Sequence, residues 1–241
     1  MSESSALGAA GSAAGSATGG TAEGTATPVG QDWAWTIDQV DGWTAVPSSA
    51  DPADVVREWQ DEVVAAVLAS VEPTMDQMID LGVPVSDADR ELMHQNVAES
   101  VTSLVAFADQ VAPDARVAAL VGLQDRGPVP VLVSVALSEP GAEDDILMQV
   151  LGATGGNPVN APSIEYLDLP DGDGIRVTRT EIDPDSAEVW LSVGMGRRTE
   201  HTDAVVDTVL LWRTQDIIIA EAVGAALDEL LPAVRITRSG P

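Results

Sequence analysis

Three carboxylates and two glycines crowd into one short stretch of the chain. Asp168, Asp171 and Asp173 lie in LDLPDGDGIRV, with Gly172 and Gly174 beside them. Closely spaced carboxylates are ligands for hard cations, so a calcium loop is the first chemistry to test. A loop of the EF-hand type needs a longer series of oxygen donors, closed by an acid at its twelfth position. Counting twelve from Asp168 reaches Arg179. Apolar strand patterns flank the stretch, Pro170 presets its own φ, and Gly172 and Gly174 accept positive φ. The stretch therefore reads as a hairpin turn, and no metal site is assigned to it.

The other reactive residue types are thin. The two histidines, His94 and His201, stand far apart with no HExxH spacing to suggest zinc. Cysteine is absent, which removes thiol catalysis, thiolate metal sites and disulfides together. Lysine is absent too, so neither a Schiff base nor a Walker-type phosphate grip can form. No GxSxG elbow supports a serine hydrolase. Acids are abundant enough to supply a glycosidase pair, but Glu143-Asp144-Asp145 reads better as the acidic first turn of a short helix running to Leu151. Arg197, Arg198 and His201 form the one local basic cluster, either an anion contact or a solvated hairpin tip. No catalytic residue and no cofactor are assigned.

The formal net charge is −28, from 39 acids against 11 arginines. A field of that sign repels phosphate backbones and anionic lipid, so nucleic acid and membrane are excluded as partners. A basic protein surface is favoured. The same composition also serves simply to keep a protein soluble. No run of about eighteen apolar residues exists to span a membrane, the N-terminus carries no signal-peptide pattern, and the expected location is the cytoplasm.

Behind these residues the pattern is that of one α+β domain over 32–241, preceded by a disordered Gly/Ala/Ser/Thr tail at 1–31. Trp33 and Trp35 alternate on one face of a strand, and Trp43 follows a turn at Asp41-Gly42. Residues 51–112 are helical. Asp51-Pro52 opens a helix with its stripe on Val55, Val56, Trp59, Val63, Val64, Val67, Leu68 and Val71, and Pro73 is expected to break it. Ser86 and Asp89 open a second helix with a capping box and a stripe from Leu92 to Val111. Segment 115–241 carries strands in RVAALVGLQ, PVLVSVALS, SIEYLDL, GIRVTRTEI, AEVWLSVGMG and AVVDTVLLWRTQ. Asp216 caps a last helix faced by Ile217, Ile218, Val223, Leu227, Leu230 and Leu231, and AVRIT closes the chain as a strand. The expected architecture is an antiparallel sheet with helices packed on one face, plus a helical hairpin.

The unit TVLLWRTQDIIIAEAVGAALDELLPAVRI resembles the C-terminal block of a family of uncharacterised actinobacterial proteins. YLDLPDGDGIRVTR resembles that family's hairpin, and DGWTAVP its opening segment. The order of elements is also distantly similar to the Mog1/PsbP-like fold. The resemblance implies a binding or accessory protein and carries over no catalytic residues.

Two functional readings follow. One is a non-catalytic protein-interaction module with an acidic surface, including an immunity-like neutraliser of a basic partner. Its candidate partner surface is Trp33, Trp35, Arg197 and Arg198, although for the two indoles packing at the core edge is the favoured reading. The other is a small-ligand binder or enzyme with a pocket between helices and sheet.

Overall fold

The structure, a computed structural model, describes residues 27–29, 32–141, 146–156, 158–169 and 172–238. The expected N-terminal tail lies almost wholly outside these residues, as do Glu143, Asp144, Asp145, Pro170 and Asp171. In chain order the elements are β1 (Thr27–Pro28), β2 (Trp33–Ile37), β3 (Trp43–Ala45), α1 (Ala53–Asp80), α2 (Asp87–Ala108), β4 (Ala115–Leu120), β5 (Val129–Ser138), α3 (Ile146–Val150), β6 (Ser163–Leu169), β7 (Gly172–Ile182), β8 (Val189–Glu200), β9 (Val205–Thr214), α4 (Ala220–Ala233) and β10 (Val234–Arg238).

Seven strands form one antiparallel sheet in the order β3-β4-β5-β9-β8-β7-β6. A smaller sheet, β1-β2-β10, lies over it. The α+β class read from the sequence is the class the chain adopts. The helices are divided between the two faces of the large sheet. Strand β4 shows why: Ala118 and Leu120 join the cluster that contains Leu227, Leu230 and Leu231 of α4, whereas Val117 and Ala119 join the cluster of Trp59, Val63 and Val67 of α1 with Val97, Val101 and Leu104 of α2. Alternate side chains of a strand point to opposite faces, so a strand apolar at every position must be covered twice. At the far end of the second face, Leu147 of α3 and Leu151 just after it pack against Ile175, Val177 and Val209. There α3 comes so close that a Cβ on Gly194 would stand 2.7 Å from the Leu151 carbonyl oxygen, which restricts that strand position to glycine.

Polar groups lock the first face. The Trp43 indole N–H donates to the Ala226 carbonyl of α4 at 3.2 Å. Arg197, on β8, donates to the Val234 carbonyl at the junction of α4 and β10 at 2.9 Å.

Several local expectations change. Pro73 does not break α1, which runs through it to Asp80. A proline removes one backbone donor, and the helix-compatible residues on both sides carry the helix past that loss. Leu92 is exposed, because α2 reaches the sheet only from Val97 onward. Ile217 and Ile218 lie on an exposed 3₁₀ turn that Asp216 caps, so the buried face of the last helix begins at Val223. The stretch with Arg197 and Arg198 is strand, in register with Thr208 and Asp207, and the chain turns only at His201. At LDLPDGDG the chain does reverse: β6 and β7 pair down to Leu169 opposite Gly172, whose φ is +127°.

Leu227 is fully buried, so Leu227→Ala should cost about 2–5 kcal/mol of unfolding free energy. Ile218→Ala, at an 80 % exposed position, should change stability by less than about 0.5 kcal/mol. Urea melts of the two variants test whether α4 begins to bear on the sheet at Val223.

Candidate functional site

Of the four residues expected to form a partner surface, three are buried. Trp35 is 1 % exposed, Arg197 4 % and Trp33 9 %. Both indoles point into the core shared by the small sheet, α4 and the large sheet. Trp33 is flanked by the His201 ring, centroids 4.6 Å apart, and by the Arg238 guanidinium at 5.1 Å. Arg198 binds Asp207 in a two-point pair, Nε to Oδ1 at 2.7 Å and Nη2 to Oδ2 at 2.8 Å. A guanidinium held this way ties β8 to β9 instead of facing a ligand.

Among the described residues no group of three or more His, Asp or Glu side chains is placed to hold a metal ion. Asp168 and Asp173 are direct cross-strand neighbours, and Asp171 lies outside the described residues. His94 is exposed on α2. It borders a shallow hollow of about 420 Å³ on the seam between α1 and α2, together with Gln60, Asp61, Val64, Leu68 and Thr102.

Among the described residues, one departure from a well-covered surface is the tip of the α1–α2 hairpin. The last buried residue of α1 is Val67, and the helix continues to Asp80, which carries it about 20 Å farther at 1.5 Å per residue. The first buried residue of α2 is Val97, ten residues beyond its start at Asp87, or about 15 Å. The projecting end is nevertheless rich in apolar side chains. Leu81 is 75 % exposed and Leu92 57 %, with Met78, Ile79 and Val83 also exposed. Single exposed leucines are ordinary on a protein surface, whereas five large apolar residues are exposed on this one projection. Acids border it: Glu72, Asp76, Asp80, Asp87, Asp89 and Glu91 stand among these residues, against Arg90 alone.

The tip is locally well defined. Ser86 Oγ accepts from the Asp89 backbone N–H at 3.2 Å, and Asp89 Oδ2 accepts from the Ser86 N–H at 2.9 Å and its hydroxyl at 2.7 Å. This capping box fixes where the connecting loop ends and α2 begins. The tip is not legible from periodicity alone, because Pro73 signals a helix end that α1 passes through. The available signal was MDQMIDLGVPV, an apolar run with no strand beside it to cover.

No family model matches the chain, and no curated protein matches it. Among solved structures, it is similar to the crystal structure of LpqN involved in cell envelope biogenesis of Mycobacterium tuberculosis. The TM-score is 0.42 at 10 % identity, over 85 % of this chain and 84 % of that one. A likeness of that degree assigns no function. No helix among the described residues is long and apolar enough to cross a membrane.

The hydrogen bonds from the Ser86 side chain and then its backbone hold the Asp89 carboxyl below its ordinary value. A depressed acid stabilises the folded state fully above its unfolded value of about 3.9, and that stabilisation is lost as the pH falls through the lower folded value. The stability difference between wild type and Asp89→Ala should therefore be constant near neutrality and shrink below about pH 4. A difference that stays constant into acid would show that the cap acts without the charge.

Proposed function

We propose that this chain is a non-catalytic protein-interaction module that takes a basic amphipathic helix on the tip and outer seam of its α1–α2 hairpin. The observation that carries the reading is the apolar tip bordered by six acids and one arginine. An amphipathic helix buries its apolar face in such a surface while its cations meet the rim. Met75, Met78 and Met93 lie near the tip, and flexible thioether side chains adapt to varied apolar partners. Val64, Ala65, Leu68 and Ala98 continue the apolar surface along the seam between the helices. The acids disfavour anionic lipid as the occupant. An immunity-like role, neutralising a basic partner, is one form of the same reading. A cytoplasmic setting and the kinship with the actinobacterial family belong to the proposal as well. A pocket enzyme has less support, since the hollows at the seam and at the β6–β7 end are shallow.

The test uses a leucine/lysine amphipathic peptide of about eighteen residues and its leucine/glutamate counterpart, titrated calorimetrically at physiological ionic strength. The lysine peptide should bind and the glutamate peptide should not. The double variant Ile79→Ser, Leu81→Ser should weaken binding about tenfold or more. Because both side chains are exposed, its melting temperature should match that of the wild type. Equal binding by wild type and variant would overturn the proposal.

A further inference from the structure

A second surface lies at the other end of the molecule, on β6. This strand closes the seven-stranded sheet and pairs only with β7. It therefore turns one row of backbone donors and acceptors outward over seven residues. Natural edge strands are closed by shortness, by proline or charged side chains (most often basic ones), or by a bulge. The other edges of this protein follow that rule: β3 has three residues, β1 has two and contains Pro28, and β10 carries Arg235 and Arg238. Strand β6 has no proline, basic side chain or bulge, and its only guards are the acids Glu165 and Asp168. Its ladder with β7 is unbroken from Ser163–Thr178 to Leu169–Gly172, and it contains neither proline nor arginine.

The side chains of one face offer specific chemistry. Ile164, Tyr166 and Asp168 alternate on it, and Tyr166 is 82 % exposed. Asp168 stands directly opposite Asp173 of β7, and like charges in that position repel. Among the described residues no cation pairs with either carboxylate, although Glu165 on the opposite face is held by Arg176. Tyr166, Leu167, Asp168 and Asp173 line a shallow hollow of about 360 Å³.

We propose that β6 is a receptor strand for an extended, basic segment of a partner protein, added antiparallel to the sheet. An arginine or lysine of that segment meets the Asp168–Asp173 pair and relieves its repulsion. Two and four residues later, apolar side chains meet Tyr166 and Ile164, because an antiparallel partner runs the other way along the strand. Charge complementarity selects this occupant over a second copy of the chain, whose own β6 brings acids and no cation. The site lies five strand spacings from β4, where the hairpin docks, or roughly 24 Å. It is independent of the hairpin tip.

The experiment uses blocked peptides that alternate threonine with one arginine and two valines, observed through the backbone amide resonances of the full chain. The arginine peptide should shift β6 amides and slow their hydrogen exchange. A glutamate-for-arginine peptide should bind about tenfold more weakly or worse. A peptide N-methylated at alternate residues should not bind, because it cannot complete the edge ladder. In the double variant Asp168→Asn, Asp173→Asn, the arginine peptide should lose its advantage over a neutral one. The hairpin variant Ile79→Ser, Leu81→Ser should bind the arginine peptide as the wild type does, which separates failure here from failure at the tip. Equal binding of the N-methylated peptide would mean charge attraction alone and would overturn the proposal. So would unshifted β6 amides, or β6 shifts that grow with protein concentration in the absence of peptide, which would identify the occupant as a second copy.

Discussion

The centre of the large sheet is apolar on both sides, and the rest of the architecture answers the need to cover it twice. In β9, Leu210 and Trp212 face α4 while Val209 and Leu211 face α3. In β4 the same alternation divides α4 from the helical hairpin. A single layer of helices would leave one of these rows in water, at about 25 cal/mol for each Å² of apolar surface left exposed. The chain meets the demand with α4 and the small sheet on one face, and with α3 and the long insertion between β3 and β4 on the other. That insertion must leave the sheet, turn and come back. Only its sheet-proximal halves, around Trp59 to Val67 and Val97 to Val105, do the covering. The tip is the part of the insertion the core does not use.

Charge follows a similar division. The chain has no lysine, and nine of its eleven arginines are already engaged within the fold. They meet carboxylates, as Arg126 does with Asp216 and Arg238 with Asp203. They meet carbonyls, as Arg197 does, a hydroxyl, as Arg116 does with Thr27, or an indole, as Arg213 does with Trp190. None of these nine lies on the hairpin. Eleven acids and two arginines, Arg57 and Arg90, make up the charge of α1, α2 and their connection. The nine arginines outside the hairpin are thus engaged within the fold, but 28 acids there outnumber them, so both parts of the chain keep a negative excess. Arginine suits the internal task, because its planar fork holds a carboxylate at two points and keeps its charge when partly buried. The Arg198–Asp207 pair shows this geometry.

Much of the fold was legible because periodicity reports burial. The strands of 115–241, the capping box at Ser86 and Asp89, the buried face from Val223 to Leu231 and the reversal at LDLPDGDG all follow from local pattern. Legibility failed where local pattern and tertiary context part. Arg197 reads as a surface residue by type, yet it is buried and donates to the carbonyl of Val234, thirty-seven residues away in sequence. Trp33 and Trp35 alternate on one face of β2, and α4 and the large sheet, distant in sequence, bury that face. The candidate surfaces were hidden for a related reason. Leu81 and Leu92 look like core residues in sequence, and only the length of α1 beyond Val67 shows that the core does not reach them.

An apolar tip and an open strand edge are both liabilities for self-association, and the same feature restrains each. On the tip, Asp80 adjoins Leu81 and Glu91 adjoins Leu92. On the edge, Asp168 stands two residues from Tyr166 on the same face. These separations are shorter than the Debye length of about 8 Å at physiological ionic strength, so salt screens the charges only partly. A second copy of the chain approaching either surface meets acids with acids and must desolvate them unpaired. A basic partner meets them with cations. In the proposed contacts, the carboxylates that would admit such a partner would also deny the surface to the protein's own copies, so discrimination would arise as much from the repelled pairing as from the attractive one.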